Sequence, residues 1–200
     1  MKGGGDMHKK IIVMTVFLLS FFAQCLAAQE FTEGYRDAKW GMSIEEVKFC
    51  FKNYKFQKDD DGDTFIKDKI MDIDVQIYFF FFEDKLKEVR ILHDVKNALF
   101  GTSQDIKRGI SNFDNLFRAL KDKYGEPDTI AKNIPEYYSA VEAIDLGETS
   151  FYSKWKTKET DILLFLGKGK SMFSSVTLAI VYTSTYYEKL EKEKSAKSKL

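Results

Sequence analysis

The chain has 200 residues, of which 44% are hydrophobic and 31% charged, which is typical of a globular protein with one domain or two small ones. Lysine and arginine balance aspartate and glutamate, and this neutral charge excludes a strongly basic nucleic-acid-binding protein. Aromatic residues make up 15% of the chain, which favours β-strands.

Residues 1–28 have the features of a signal peptide. A short basic stretch precedes the apolar run 11–22, and small residues follow at Ala27 and Ala28. Because the run is shorter than the ~20 residues that a membrane helix needs, we predict cleavage near Ala27 or Ala28. The protein is then periplasmic or secreted, and it meets the membrane only through its signal segment. Cys25 suggests the alternative of a bacterial lipoprotein, although the preceding residue is glutamine rather than a small residue.

Residues 29–97 are predicted to form a first unit, a helix followed by antiparallel strands. Ser43 followed by Glu46 is a capping-box pattern and predicts the start of a short helix. The run 71–93 alternates in hydrophobicity and turns at 83–85, which predicts a long β-hairpin.

One face of this hairpin is unusually aromatic. The odd positions of 71–81 are all apolar and can cover a core, whereas the even positions begin polar and end aromatic. A sheet buried on one side needs only the odd face, so the even aromatics are either covered by another segment or exposed for a partner. Leu86, Arg90 and Leu92 are the expected cross-strand neighbours. The predicted partner-binding residues are Tyr78, Phe80, Phe82, Arg90 and Leu92.

Residues 98–187 are predicted to form a second unit with the same order of elements. Apolar residues recur three or four positions apart over 106–124, and a glycine and a proline follow. This pattern predicts a helix that begins near Ser103. Gly109 inside it costs ~1 kcal/mol relative to alanine, which leaves a later start at Ser111 open.

Three strand candidates follow this helix, at 150–158, 161–167 and 172–183. The charged tail 188–200 is either a fraying helix or a disordered end. Neither unit has the alternation of strands and helices that a parallel sheet requires. The sequence therefore predicts an α+β protein, in which two tandem helix-then-strands units form an antiparallel sheet with helices on one face.

The opening of the first unit resembles that of a group of small exported bacterial proteins of unknown function. Their Trp-Gly-Met/Thr-Ser-x-x-Glu-Val pattern is similar to residues 40–47, and 123–127 and Trp155 followed by 162–164 look like later landmarks. The order of elements resembles the tandem fold of β-lactamase inhibitor proteins and the single unit of small outer-membrane assembly lipoproteins. The resemblance implies a fold that binds other proteins and catalyses no reaction.

The mature sequence contains few groups that could form a catalytic or metal site. Cys50 and His93 are its only cysteine and histidine, too few for a disulfide or a zinc cluster. The acidic turn 59–63 lacks the glutamate that ends a calcium-binding loop. Residues 169–171 look like the end of a phosphate-binding loop, but the required earlier glycine is missing. We therefore predict no enzyme, catalytic residue, cofactor or metal, and interpret Cys50 as a small buried residue.

These patterns lead to two functional hypotheses. The first is an exported non-enzymatic protein that binds a protein or another component of the cell envelope through its sheet. The alternative is a small-molecule or lipid carrier with its ligand between sheet and helices, which would require a cavity there. No nucleic-acid partner is expected.

Overall fold

A computed structural model of the chain describes residues 31–96, 101–168 and 175–198. The predicted signal peptide, Cys25 and residues 169–171 lie outside these ranges. Within them, no helix combines the length and the hydrophobicity needed to cross a membrane.

The first half of the chain forms a small hairpin, a short helix and four strands. The hairpin consists of β1 (Gly34–Tyr35) and β2 (Ala38–Lys39), and helix α1 (Ile44–Cys50) follows. The strands are β3 (Gln57–Lys58), β4 (Thr64–Ile70), β5 (Ile73–Phe82) and β6 (Lys85–Lys96). The predicted capping box is confirmed: the Ser43 N–H donates to the Glu46 carboxylate at 2.7 Å, and the Glu46 N–H donates to the Ser43 hydroxyl.

The second half contains a long helix, two shorter helices and four strands. Its elements are α2 (Ser103–Tyr124), β7 (Thr129–Ala131), α3 (Ala140–Leu146), β8 (Phe151–Lys156), β9 (Thr160–Lys168), β10 (Val176–Ser184) and α4 (Thr185–Lys197). The earlier of the two predicted starts of α2 is therefore correct, and Gly109 lies inside the helix. Most of the charged tail is helical and belongs to α4.

Eight strands form one antiparallel sheet in the order β3-β4-β5-β6-β10-β9-β8-β7. The two halves meet where β6 pairs with β10, with Ile91 opposite Ile180. Helices α1, α2 and α3 contribute buried residues to a single core with this sheet. The predicted α+β class with an antiparallel sheet is confirmed.

The odd positions of β5 face this core, as their alternation predicts. Phe51, directly after α1, packs its ring 5.1 Å from that of Phe79, and Phe113 of α2 lies 5.9 Å from Phe151 of β8. Each such side chain stabilises the fold by ~1.5–3 kcal/mol through its removal from water. The buried odd residues of β5 are Ile73, Val75, Ile77 and Phe79.

The structure has a turn between β4 and β5 that the sequence pattern does not predict. Met71 was expected in a strand, but Met71 and Asp72 adopt positive φ angles of 50° and 65° and connect the two strands. Glu83 and Asp84 form a second such turn, with φ angles of 49° and 58°. Two-residue turns of this kind usually contain Asn-Gly, so the residue types at 71 and 72 provide no turn signal.

The expected position of Leu86 is wrong. A bulge between Phe80 and Phe81 shifts the register of the hairpin, so Leu86 pairs with Phe81 and is fully buried in the core. Because one extra residue reverses which face the following side chains occupy, Leu86 is not a neighbour of the even aromatics.

Candidate partner-binding face

The predicted partner-binding residues lie together on the face of the sheet opposite α1 and α2, which we call the open face. Tyr78, Phe80 and Phe82 are half-buried there. Arg90 stands directly opposite Tyr78 on β6, with 46% of its side chain exposed. Leu92 follows two residues later on the same strand and is half-buried.

Stacked rings hold the open-face aromatics in place. The ring centroid of Tyr78 lies 5.1 Å from that of Phe65 and 6.3 Å from that of Phe80, with nearly parallel planes. The Arg90 guanidinium carbon lies 4.4 Å from the Phe80 centroid, and Glu88 holds Arg90 through a 2.5 Å ion pair. The stacking removes part of the Tyr78 and Phe80 rings from water, and Phe65 at the inner end of the row is buried. Aromatic residues and arginine are the types enriched in binding hot spots.

The apolar surface continues onto the second half of the chain. Val181 of β10 stands opposite Arg90, and Leu163 of β9 stands opposite Val181. Both side chains are half-buried on the open face. The sequence does not predict that these two residues belong to the open face, because no pattern in it indicates that β6 and β10 are neighbours.

Helix α4 borders one end of the open face. Lys87 of the sheet pairs with Glu191 at 2.7 Å, and the Lys194 ammonium lies 5.3 Å from the Phe82 centroid. Phe82 is thus partly covered by α4, in contrast to Phe80. A cleft of about 680 Å³ separates α4 from the strands, and its lining includes Glu88, Lys154, Leu163, Val181, Glu188 and Lys192.

The acidic turn 59–63 adjoins the open face. The Asp59 carboxylate accepts hydrogen bonds from the backbone N–H groups of Asp61 and Asp63, at 3.1 and 2.8 Å, and so closes the turn. Burial, together with the nearby Asp59 charge, raises the pKa of Tyr78. The Tyr78 hydroxyl donates to the Gln76 side-chain oxygen at 3.4 Å. Across the described ranges, no three His, Cys, Asp or Glu side chains are arranged to hold a metal ion.

Cys50 is only half-buried, so its interpretation as a buried residue is wrong, and Cys50 and His93 have separate local partners. The Cys50 thiol lies 3.6 Å from the backbone oxygen of Asp37, and the His93 Nδ1 atom lies 2.8 Å from that of Asp74. Burial raises the pKa of the Cys50 thiol. A nucleophilic cysteine requires the opposite shift, because the thiolate is the reactive form.

The space between the sheet and α2 is filled by side chains. A void lined by Ile73, Ile91 and Leu116 measures about 10 Å³. This volume is close to the ~10–15 Å³ that a single water molecule needs. A carrier with its ligand at this place would require a far larger cavity.

Comparison of the chain with models of protein families, with curated proteins and with solved structures found no match. The similarity of residues 40–47 to exported bacterial proteins stays a prediction. Function must therefore be inferred from the geometry of the described residues.

Proposed function

We propose that this chain is an exported, non-catalytic protein that binds another protein of the cell envelope through its open face. The observation that carries the proposal is the pair of half-buried rings Tyr78 and Phe80, stacked beside the buried Phe65, with Arg90 against Phe80. An apolar surface of this kind on a soluble protein typically marks an interaction site. The predicted signal peptide supports a partner outside the cytoplasm.

The dimensions of the open face suit a protein partner. The apolar surface crosses four neighbouring strands, β5, β6, β10 and β9. Strands lie ~4.8 Å apart, so three intervals give a width of ~14 Å. This is slightly more than the ~10–12 Å diameter of one helix. Stacking already holds the rings, so little of their side-chain entropy would be lost when a partner binds them.

The alternative function, a small-molecule or lipid carrier with its ligand between sheet and helices, has less support. The void between the middle of α2 and the sheet is about 10 Å³. Small-molecule sites usually measure ~300–1,000 Å³. The open face is therefore the better-supported binding surface.

The test compares two matched double variants in capture experiments from envelope extract. Phe80→Ser/Arg90→Ser removes a phenylalanine and its stacked cation from the open face. Phe49→Ser/Lys52→Ser removes an equivalent exposed pair near α1, where the Lys52 ammonium lies 5.6 Å from the Phe49 ring. Circular dichroism first establishes that both variants melt like the unmodified protein.

We expect one protein to be captured by the unmodified chain and by the α1 variant, and to be lost from the open-face variant. The purified partner should then bind the same three proteins with the same ranking. Equal capture by both folded variants, or capture of no protein by any of them, would overturn the proposal.

A further inference from the structure

A second concave site lies on the helix side of the sheet, away from the open face. Its volume is about 380 Å³, within the ~300–1,000 Å³ range of small-molecule sites. It forms where the hairpin β1–β2, the C-terminal end of α2 and the turn between β8 and β9 meet. Its lining includes Gly34, Arg36, Lys39, Lys123, Tyr124 and Ile162.

One oxygen of the carboxylate that lines this pocket, Glu33 Oε2, accepts hydrogen bonds from two hydroxyl groups. Glu33 accepts hydrogen bonds from the side chains of Thr157 and Thr160, the latter at 2.7 Å. These two donors carry no charge. Glu33 therefore orders the turn between β8 and β9. The basic side chains of the pocket form no salt bridge with Glu33.

Two lysines of the pocket form no salt bridge within the described part of the chain. The Lys39 ammonium donates to the backbone oxygen of Thr32 at 2.9 Å, and the Lys123 ammonium lies 4.9 Å from the Tyr124 centroid. The lining has three basic side chains against the single carboxylate of Glu33, so the pocket has a local excess of positive charge although the whole chain is neutral. A concave site focuses such a field and attracts anions.

Arg36 is held in a fixed orientation at the rim of the pocket. Its Nη1 atom lies 2.6 Å from the Asp68 carboxylate and 3.2 Å from the Tyr54 hydroxyl. The backbone of Arg36 adopts φ +54°, a conformation that is uncommon for a residue with a side chain. Across the described ranges, its Nε and Nη2 atoms form no hydrogen bond, and these two donors match the spacing of two anionic oxygens.

We propose that this pocket binds a small organic anion. Its carboxylate or phosphate oxygens would be held by Arg36, Lys39 and Lys123. Its flat or aliphatic body would pack against Tyr124 and Ile162. The site is independent of the open face, so failure of either proposal leaves the other unaffected.

The first test uses benzoate, its neutral isostere benzamide, and phenyl phosphate as probes. Titration of the isotope-labelled protein is followed by two-dimensional amide NMR. We expect benzoate or phenyl phosphate to shift the amide signals of Gly34, Arg36 and Thr160 in a saturable way, and benzamide to bind at least roughly ten-fold more weakly. The relative affinities of the two anions distinguish a carboxylate site from a phosphate site. Equal binding of benzamide, shifts confined to other residues, or no saturable shift with either anion would overturn the proposal.

The second test removes charge from the pocket. Lys39→Gln/Lys123→Gln should weaken binding of the preferred anion by roughly ten-fold or more. Lys48→Gln/Lys189→Gln, which changes two exposed lysines of α1 and α4, should leave the affinity unchanged. If both variants bind the anion as tightly as the unmodified protein, the lysines do not hold it and the proposal is wrong.

Discussion

Gly109 provides a direct test of how closely α2 packs on the sheet. Glycine inside a helix costs ~1 kcal/mol relative to alanine, so Gly109→Ala should stabilise the protein on propensity alone. In the structure, however, a Cβ atom at position 109 would lie 2.4 Å from Cγ1 and 3.0 Å from Cγ2 of Val95. Relief of this overlap requires a shift of α2 or a strained Val95 rotamer, at a cost of ~2–3 kcal/mol. We therefore expect Gly109→Ala to lower the free energy of unfolding by ~1–2 kcal/mol.

Val95→Ala removes both overlapping methyl groups. In that background, Gly109→Ala should stabilise the protein instead of destabilising it. By itself, Val95→Ala should cost ~1.6 kcal/mol, since each buried methylene-sized group contributes ~0.8 kcal/mol. The nearest atom to a Cβ at position 109 would then be the Cβ of residue 95, at 3.3 Å. In this background Gly109→Ala should recover its helix-propensity gain of ~1 kcal/mol. The coupling energy between the two substitutions is then ~2–3 kcal/mol.

The assay is urea unfolding of the four proteins, followed by far-ultraviolet circular dichroism. The slopes of the transitions should agree, so that differences in midpoint report stability. The reasoning is refuted if Gly109→Ala stabilises the otherwise unmodified protein by ~1 kcal/mol, or if the two effects add to within ~0.5 kcal/mol. Either result would mean that α2 lies farther from β6 than the structure shows.

Three further predictions concern a turn, a helix cap and a buried tyrosine. Met71→Asn/Asp72→Gly should raise the melting temperature by ~2–4 °C, because Asn-Gly relieves ~1 kcal/mol of strain at two positive φ angles; an unchanged or lower value would contradict this. Ser43→Ala should lower the free energy of unfolding by ~1 kcal/mol. Hydrogen bonds from Ser43 lower the pKa of Glu46, so its contribution to stability is present above the ordinary glutamate pKa and is lost as the pH falls through the lowered value. The Ser43 backbone N–H contributes most to this shift and is kept in Ser43→Ala, whereas the hydroxyl is lost. Carboxyl NMR of Ser43→Ala should therefore show Glu46 titrating at higher pH than in the unmodified protein, and an unmoved titration would contradict the contribution of the hydroxyl. Burial raises the pKa of Tyr35 to about 12 from 10.0, so stability should be unaffected below pH 10 and fall as the pH rises toward 12. Tyrosinate absorbance of the unmodified protein should keep rising above pH 10, and Tyr35→Phe should lose the part of that rise near pH 12; identical titration curves of the two proteins would contradict it.

Much of the fold follows from local patterns in the sequence. The capping box at Ser43 and the apolar stripe of α2 depend on contacts within one helix, so spacing alone predicts them. Alternation along β5 likewise predicts that Tyr78, Phe80 and Phe82 share one face, because successive side chains of a strand point to opposite sides.

Other features of the candidate sites depend on contacts between distant segments. The close approach of Val95 explains why Gly109 lies inside α2, although the glycine by itself argues for a later start. The bulge at Phe80 places Leu86 in the core, and no residue type in the hairpin indicates the bulge. The pocket at Arg36 exists because residues 33–39, 123–124 and 157–162 meet in space.

Local patterns alone indicate which side chains share a helix or strand face, since the periods of 3.6 and two residues are properties of the backbone. The pairing of β6 with β10, and the packing of α1 and α2 on the sheet face that includes the odd positions of β5, depend on contacts between distant segments. That arrangement leaves the even aromatics on the open face, where Val181 and Leu163 extend them. The reason is physical: strand order and coverage are set by the burial energy of residues far apart in the chain, and local periodicity carries no information about which segments meet.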